Sequence, residues 1–181
     1  MRKSLIALCL VMVLAFLALL SLPRVKEVPL GKAAAAVYFS PNGGCTEAII
    51  KEIEKAQSEI LVQAYTFTSA PIAKALLRAH QRGIRAEVIL DQSQRMQKYS
   101  SATFLANQKI PIYIDGQHGI AHNKVMIIDR KIVITGSFNF TRAAEEKNAE
   151  NLLVIRSEGL AKAYLENWQR HKKHSEEYRR G

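Results

Sequence analysis

From residue 36 onward the apolar positions switch repeatedly between short continuous runs and helical spacing. Ala36-Val37-Tyr38-Phe39 reads as a first strand, closed by the turn signal Pro41-Asn42-Gly43-Gly44. Ala48, Ile49, Ile53 and Ala56 then recur at helical intervals and predict a helix over 45–57. Glu59 to Tyr65 reads as a strand. Ser69 stands where a helix cap belongs, ahead of Ile72, Leu76 and Leu77 on one helical side, and Gly83 supplies the stop. A third strand covers Arg85 to Asp91, with Val88-Ile89-Leu90 as its buried stretch. A weaker helix follows over 96–107, then a short strand Ile110-Pro111-Ile112-Tyr113-Ile114, placed near a sheet edge by its proline. Strands over 122–128 and 131–135 meet at Asp129-Arg130. Leu152-Leu153-Val154-Ile155 is a last strand, and a long helix over 157–172 precedes a basic tail. Strands alternating with helices imply an α/β domain, a layered α-β-α arrangement around a mixed, largely parallel sheet. No internal repeat is visible.

Upstream the pattern is different. Met1-Arg2-Lys3-Ser4 is a short positive start, and the sixteen residues from Leu5 to Leu20 are all apolar. That is the shape of a secretory signal, and it also lies near the lower length limit of a membrane-spanning helix. No small-x-small cleavage site follows directly, so residues 1–22 read as a signal peptide or an N-terminal anchor. The expected location is outside the cytoplasm: periplasmic or secreted, or tethered to the membrane if the leader is retained. Residues 23–35 read as a linker, 36–172 as the catalytic domain and 173–181 as a basic tail.

The 181 residues carry 26 Lys+Arg against 16 Asp+Glu, a net charge of +10. Loss of the leader with Arg2 and Lys3 would leave +8, so the basicity does not depend on it. Such an excess points to a polyanionic partner, nucleic acid or an anionic membrane face. At 48% hydrophobic and 23% charged, the chain is neither disordered nor collagen-like. Of the two cysteines Cys9 lies in the leader, which leaves Cys45 alone and no disulfide framework in the mature domain.

Chemistry concentrates between His122 and Glu150. His122 and Lys124 are two apart, so on a strand both side chains leave the same face. Ser137 and Asn139 repeat that relation at the end of the next strand, while Asp129 falls on the opposite parity and reads as structural. A histidine beside a lysine, a hydroxyl and an amide suits phosphoryl transfer. Lys124 can neutralise non-bridging oxygens, Ser137 and Asn139 can hydrogen-bond them, and Gly136 permits close backbone approach. The imidazole can act as nucleophile or as acid and base.

The resulting pattern, His-x-Lys-x4-Asp-x6-Gly-Ser-x-Asn, resembles that of the phospholipase D superfamily. The chain after the leader resembles that family's smallest members, the exported bacterial endonucleases with a single motif copy. The likeness extends to Gln63-Ala64-Tyr65-Thr66-Phe67-Thr68, to Phe140-Thr141, to Asn148-Ala149-Glu150-Asn151 and to Trp168. It implies a metal-independent phosphodiesterase in which His122 forms a phosphohistidine. The second histidine of the family mechanism belongs to another motif copy, so the resemblance implies a homodimer with a His122 from each subunit. Lys124 and Asn139 of both subunits would hold the phosphate, Ser137 would assist, and Glu150 would orient a His122 ring. Nearby Glu145 and Glu146 leave the choice of Glu150 to the family match.

Other residues admit competing readings. His118 and His122 are four apart, a metal spacing on a helix, but Gly116 and Gly119 break any such helix. His171 and His174 read as part of the solvated tail. Asp91, Asp115 and Asp129 are the three aspartates of the sequence and form no carboxylate cluster of the kind a two-metal nuclease needs. No metal and no cofactor are therefore expected. Tyr65 and Phe67 are weak candidates for the walls of a substrate groove. Three functions remain in view: hydrolysis of DNA or RNA, hydrolysis of phospholipid head groups (phospholipase D or cardiolipin hydrolase) near a membrane reached through the leader, and non-catalytic binding.

Overall fold

The computed structural model describes residues 31, 33–97 and 100–178; the leader expected over 1–22 and most of the linker lie outside them. Among the described residues no helix is long and apolar enough to cross a membrane. The centre of the fold is β2 (Glu59–Ala64), all six residues of which are buried. Its neighbours β3 (Arg85–Asp91) and β5 (Lys124–Ile128) are nearly as covered. Helices lie on both faces of this region, which is why its strands read as continuous apolar runs and show no alternation.

The remaining strands are β1 (Ala34–Ser40), β4 (Ile112–Asp115), β6 (Ile132–Gly136), β7 (Glu150–Arg156) and the two-residue β8 (Glu176–Glu177). They form one eight-stranded sheet in the order β1-β7-β6-β5-β2-β3-β4-β8. The layered, mixed architecture agrees with expectation, but the parallel share does not. Only β2–β3 and β3–β4 pair in parallel; the other five pairings are antiparallel. The reason lies in the connections. Parallel neighbours need a crossover, supplied here by α2 (Ala70–Gln81) and α3 (Ser101–Asn107). Strands β5 and β6 are joined by a tight turn instead, with Asp129 at φ 53° and Arg130 at φ 55°, the left-handed pair of a primed hairpin turn.

One face of the sheet carries α1 (Cys45–Lys55), α2 and α3 over the larger core, which includes Ile49, Ile53, Leu76, Val88 and Met126. Cys45 is a buried free thiol in this core; burial, helped by Glu145, pushes its pKa up to about 11. A short α4 (Arg142–Glu146), not foreseen in the sequence, bridges β6 and β7. The opposite face is covered by α5 (Glu158–His174), whose Ala161 and Trp168 pack on Leu61, Ile89, Val125, Ile127 and Val133. Trp168 Nε1 donates to the carbonyl of Val62 at 2.9 Å, so the ring is fixed to the central strand.

Several boundaries moved. Helix α3 starts at Ser101, later than expected, behind a 3₁₀ turn over Gln92–Gln94. Strand β4 begins after Pro111, which places the proline outside the ladder. Ser69 occupies the N-cap of α2, yet its side chain makes no capping bond. The supposed tail is the largest correction. Residues 173–174 complete α5, β8 pairs with β4, and Tyr178 hydrogen-bonds Thr103 at 2.8 Å.

Candidate active site

The carboxyl ends of β2 and β3, the start of β5 and the end of β6 share one rim of the sheet. Ala64 pairs with both Leu90 and Lys124, and Gly136 pairs with Leu152 near the start of β7. In open α/β sheets that rim, outside the carboxyl ends of the parallel strands, is where ligands bind. The motif residues gather there.

His122 lies in the loop just ahead of β5, and its side chain is exposed. The strand-parity argument therefore needs amendment, because β5 starts only at Lys124. What brings the two together is Tyr65. Its ring stands 4.6 Å from the His122 ring, and Lys124 Nζ lies 5.0 Å from the centre of the same ring. Tyr65 N also donates to the Asn123 carbonyl at 2.7 Å, which fixes the loop between the two functional residues. Lys124 is 7% exposed, and its Nζ donates to the His122 carbonyl at 3.0 Å. Burial lowers the pKa of this ammonium, and the negative charge of Glu150 opposes that drop.

Across the rim, Gly136 has a φ of 150°, and a Cβ there would stand 2.2 Å from the Asn151 carbonyl oxygen. Only glycine allows this approach, so the chain turns out of β6 flat against β7. Ser137 follows, exposed, and its Oγ accepts from Asn151 N at 3.1 Å and Nδ2 at 3.3 Å. Phe138 is fully buried, and Asn139 is half-buried with its Oδ1 shielded and without a hydrogen-bond partner. An unpaired buried acceptor is uncommon in a folded protein. Glu150 accepts from Asn148 Nδ2 at 3.1 Å, and its own N–H donates to Ser40 Oγ at 3.2 Å. Within one subunit its influence reaches Lys124 through charge; no hydrogen bond joins it to His122.

Asp129 stands at the far end of β5 from this rim. It accepts from Gln57 N, Ser58 N, Ser58 Oγ and Glu59 N at 2.8–3.1 Å. Partial burial would raise its pKa, but these donors hold it below the usual carboxylate value. Phe67, expected as a weak substrate contact, is fully buried, with its ring edge-on to Phe140 at 5.8 Å; it belongs to the core. Two positioning roles escaped the sequence reading. Asn151 anchors Ser137, and Asp91 accepts from Ala121 N at 2.7 Å, holding the backbone immediately before His122. Asp91 announced itself only as a polar residue closing an apolar strand.

An exposed imidazole, a buried ammonium and a hydroxyl and amide across a shared rim are the parts of a phosphoryl-transfer site. The family of cardiolipin synthase, phospholipase D-like domains matches residues 49–172, and the chain belongs to the phospholipase D superfamily. It is a hydrolase of the phosphodiesterase class. The chain is 44% identical to a phospholipase D of Rickettsia felis over 151 residues, 82% of this chain and 76% of that one. It is 30% identical to a mitochondrial cardiolipin hydrolase of Canis lupus familiaris over 145 residues, 80% of this chain and 57% of the relative. Among solved structures it is similar to Nuc from Salmonella typhimurium, a phospholipase D family member. That match has 38% identity and a TM-score of 0.78, covering 82% of this chain and all of Nuc.

Proposed function

We propose that the chain is a metal-independent endonuclease that hydrolyses phosphodiester bonds of DNA or RNA with little base preference. The observation that carries this reading is a His122–Lys124 pair on an open rim of a strongly basic chain. An open rim accepts a polymer from the side, and groups that grip phosphate do not read bases. Glu150 is the carboxylate whose charge reaches Lys124, while Asp91 is taken up by the Ala121 N–H and Asp115 by three histidines, so the carboxylates of the rim are not gathered as a two-metal nuclease needs. Lys124 and Asn139 hold the non-bridging oxygens. His122 attacks phosphorus, a P–N bond forms and the P–O bond to the leaving nucleotide breaks. The leaving oxygen takes a proton from a second imidazole. Water then attacks phosphorus, that second imidazole removes its proton, and the P–N bond breaks.

The second imidazole comes from a second subunit. His80 lies in α2, and His118, His171 and His174 are gathered around Asp115, each directed to its carboxylate. A two-fold axis supplies the missing group by using one surface twice. The sheet offers a place for the second copy. Val37 is 54% and Phe39 64% exposed, on the face that α5 covers only further along the sheet. Val37 pairs with Leu153 and Phe39 with Asn151, the residue that holds Ser137, so this apolar strip runs directly into the rim. The enzyme works outside the cytoplasm, exported by the apolar segment 5–20 or tethered by it at the membrane.

Hydrolysis of phospholipid head groups is the second reading, favoured by the names of the Rickettsia and dog relatives. Purified protein lacking residues 1–22 is to be assayed on plasmid DNA, RNA and labelled phospholipid vesicles in excess chelator. Nucleic-acid cleavage that persists in chelator, with substrate binding that weakens steeply with salt, is the expected result. Cleavage of lipid alone, or a strict need for magnesium, overturns the reading.

A further inference from the structure

A second cluster of chemistry-bearing side chains sits on the same sheet rim, beyond β3. Asp115 ends β4 and is fully buried. Three imidazoles converge on its carboxylate. His118 Nδ1 lies 3.1 Å from Oδ1, His171 Nδ1 lies 2.6 Å from Oδ2, and His174 Nε2 lies 3.3 Å from Oδ2. The three rings are 4.9–5.3 Å apart, centre to centre. One ligating atom from each residue falls within 4.8 Å of all the others.

Hydrogen bonding alone serves this arrangement poorly. Three imidazolium rings in contact would repel one another around a single carboxylate. Neutral rings leave His174 Nε2 buried with no hydrogen-bond partner, despite its proximity to the carboxylate. A cation at the centre resolves both difficulties, because neutral imidazoles would then direct lone pairs inward. We propose that Asp115, His118, His171 and His174 form a tetrahedral site for a divalent transition metal, Zn²⁺ by the chemistry of its donors.

Three imidazole nitrogens and one carboxylate oxygen are a zinc-type donor set, and four protein ligands leave no open position for catalysis. Metal–ligand bonds of about 2.0–2.1 Å put neighbouring donor atoms about 3.3 Å apart; His118 and His174 already stand 3.1 and 3.3 Å from the Asp115 carboxylate, while His171, at 2.6 Å, has to move back from it as the ion enters. His171 and His174 both lie in the last turn of α5, where the helix dipole favours positive charge. The His118 side chain is 45% exposed and gives the ion a way in.

The place of the site suggests what the ion does. The segment from Gly116 to Asn123 crosses the rim from β4 to β5, is caught midway by Asp91 at Ala121, and delivers His122. A metal on His118 and Asp115 ties the start of this strap to the end of α5. The ion is therefore structural: it steadies the start of a strap whose end Asp91 holds beside His122 without it, so cleavage persists when the ion is stripped, and its binding does not depend on the phosphodiesterase reading.

The test uses untagged protein, stripped with chelator and titrated with Zn²⁺ against a chromogenic competitor, with Co²⁺ as a spectroscopic substitute. One ion per chain, a tetrahedral Co²⁺ spectrum and a melting temperature raised by Zn²⁺ are expected. His118→Ala alters an exposed loop residue and should remain folded by circular dichroism while binding zinc at least about tenfold more weakly. His171→Ala should do the same, and His122→Ala should keep its full zinc content. Absence of stoichiometric binding to the wild-type protein overturns the proposal. So does affinity unchanged in both folded His118→Ala and His171→Ala, or lost in His122→Ala.

Discussion

Lys124 is subject to two opposed influences: burial discourages its charge, and Glu150 restores part of it. The proposed phosphate site needs the charged form, which would give Glu150 a role in this subunit without contact with His122. Glu150→Gln removes the influence that raises the lysine pKa. The alkaline limb of the pH–rate profile is then expected to move to lower pH; a limb that stays in place or moves up contradicts this role. His122→Ala is expected to lower turnover at least about a thousandfold, as loss of a nucleophile does. Lys124→Ala should lower it about 100-fold to 1,000-fold, the range for a lost charge-stabilising donor. Near wild-type rates in either folded variant remove that residue from the chemistry. The gathering of His122, Lys124, Ser137 and Asn139 at one rim was legible because a short spacing carried it. Asn151 and Asp91 were not, because each acts on a backbone group brought close by strand register, which a linear pattern does not contain.

Among the elements, the β5–β6 hairpin shows how stability and function are kept at opposite ends of one strand. Lys124 opens β5 at the rim, and Asp129 closes it by binding the turn that leads into β2. Asp129→Ala should cost about 2 kcal/mol in chemical denaturation, from lost hydrogen bonds to a charged acceptor, while leaving the folded enzyme active. Because the Asp129 pKa is lowered in the folded state, the stability it adds is present above the usual carboxylate value of 3.8. That contribution fades as pH falls through the lower folded value. The difference in stability between wild type and the variant should therefore shrink on acidification; a constant difference contradicts the assignment. The strands themselves were readable from their apolar runs. Their direction was not, because alternating strands and helices suggest crossovers and the turn at Asp129-Arg130 reverses the chain instead. The basic tail was misread for a similar reason. His171 and His174 look solvated in sequence, and only the parallel placement of β4 beside β3 brings Asp115 to meet them.

For the whole molecule, the decisive question is whether one chain contains a complete active site. A single His122 cannot both attack phosphorus and protonate the leaving group on the opposite side. The exposed Val37–Phe39 strip beside the rim offers the surface on which a second subunit could supply its own His122. The most direct measurement mixes wild-type protein with increasing excess of folded His122→Ala subunits, allows exchange, and follows phosphodiester cleavage. Activity is expected to fall as heterodimers form, below what the wild-type chains alone would give if each acted independently. Activity strictly proportional to the number of wild-type chains after full exchange, or a fully active monomer in sedimentation, would contradict it.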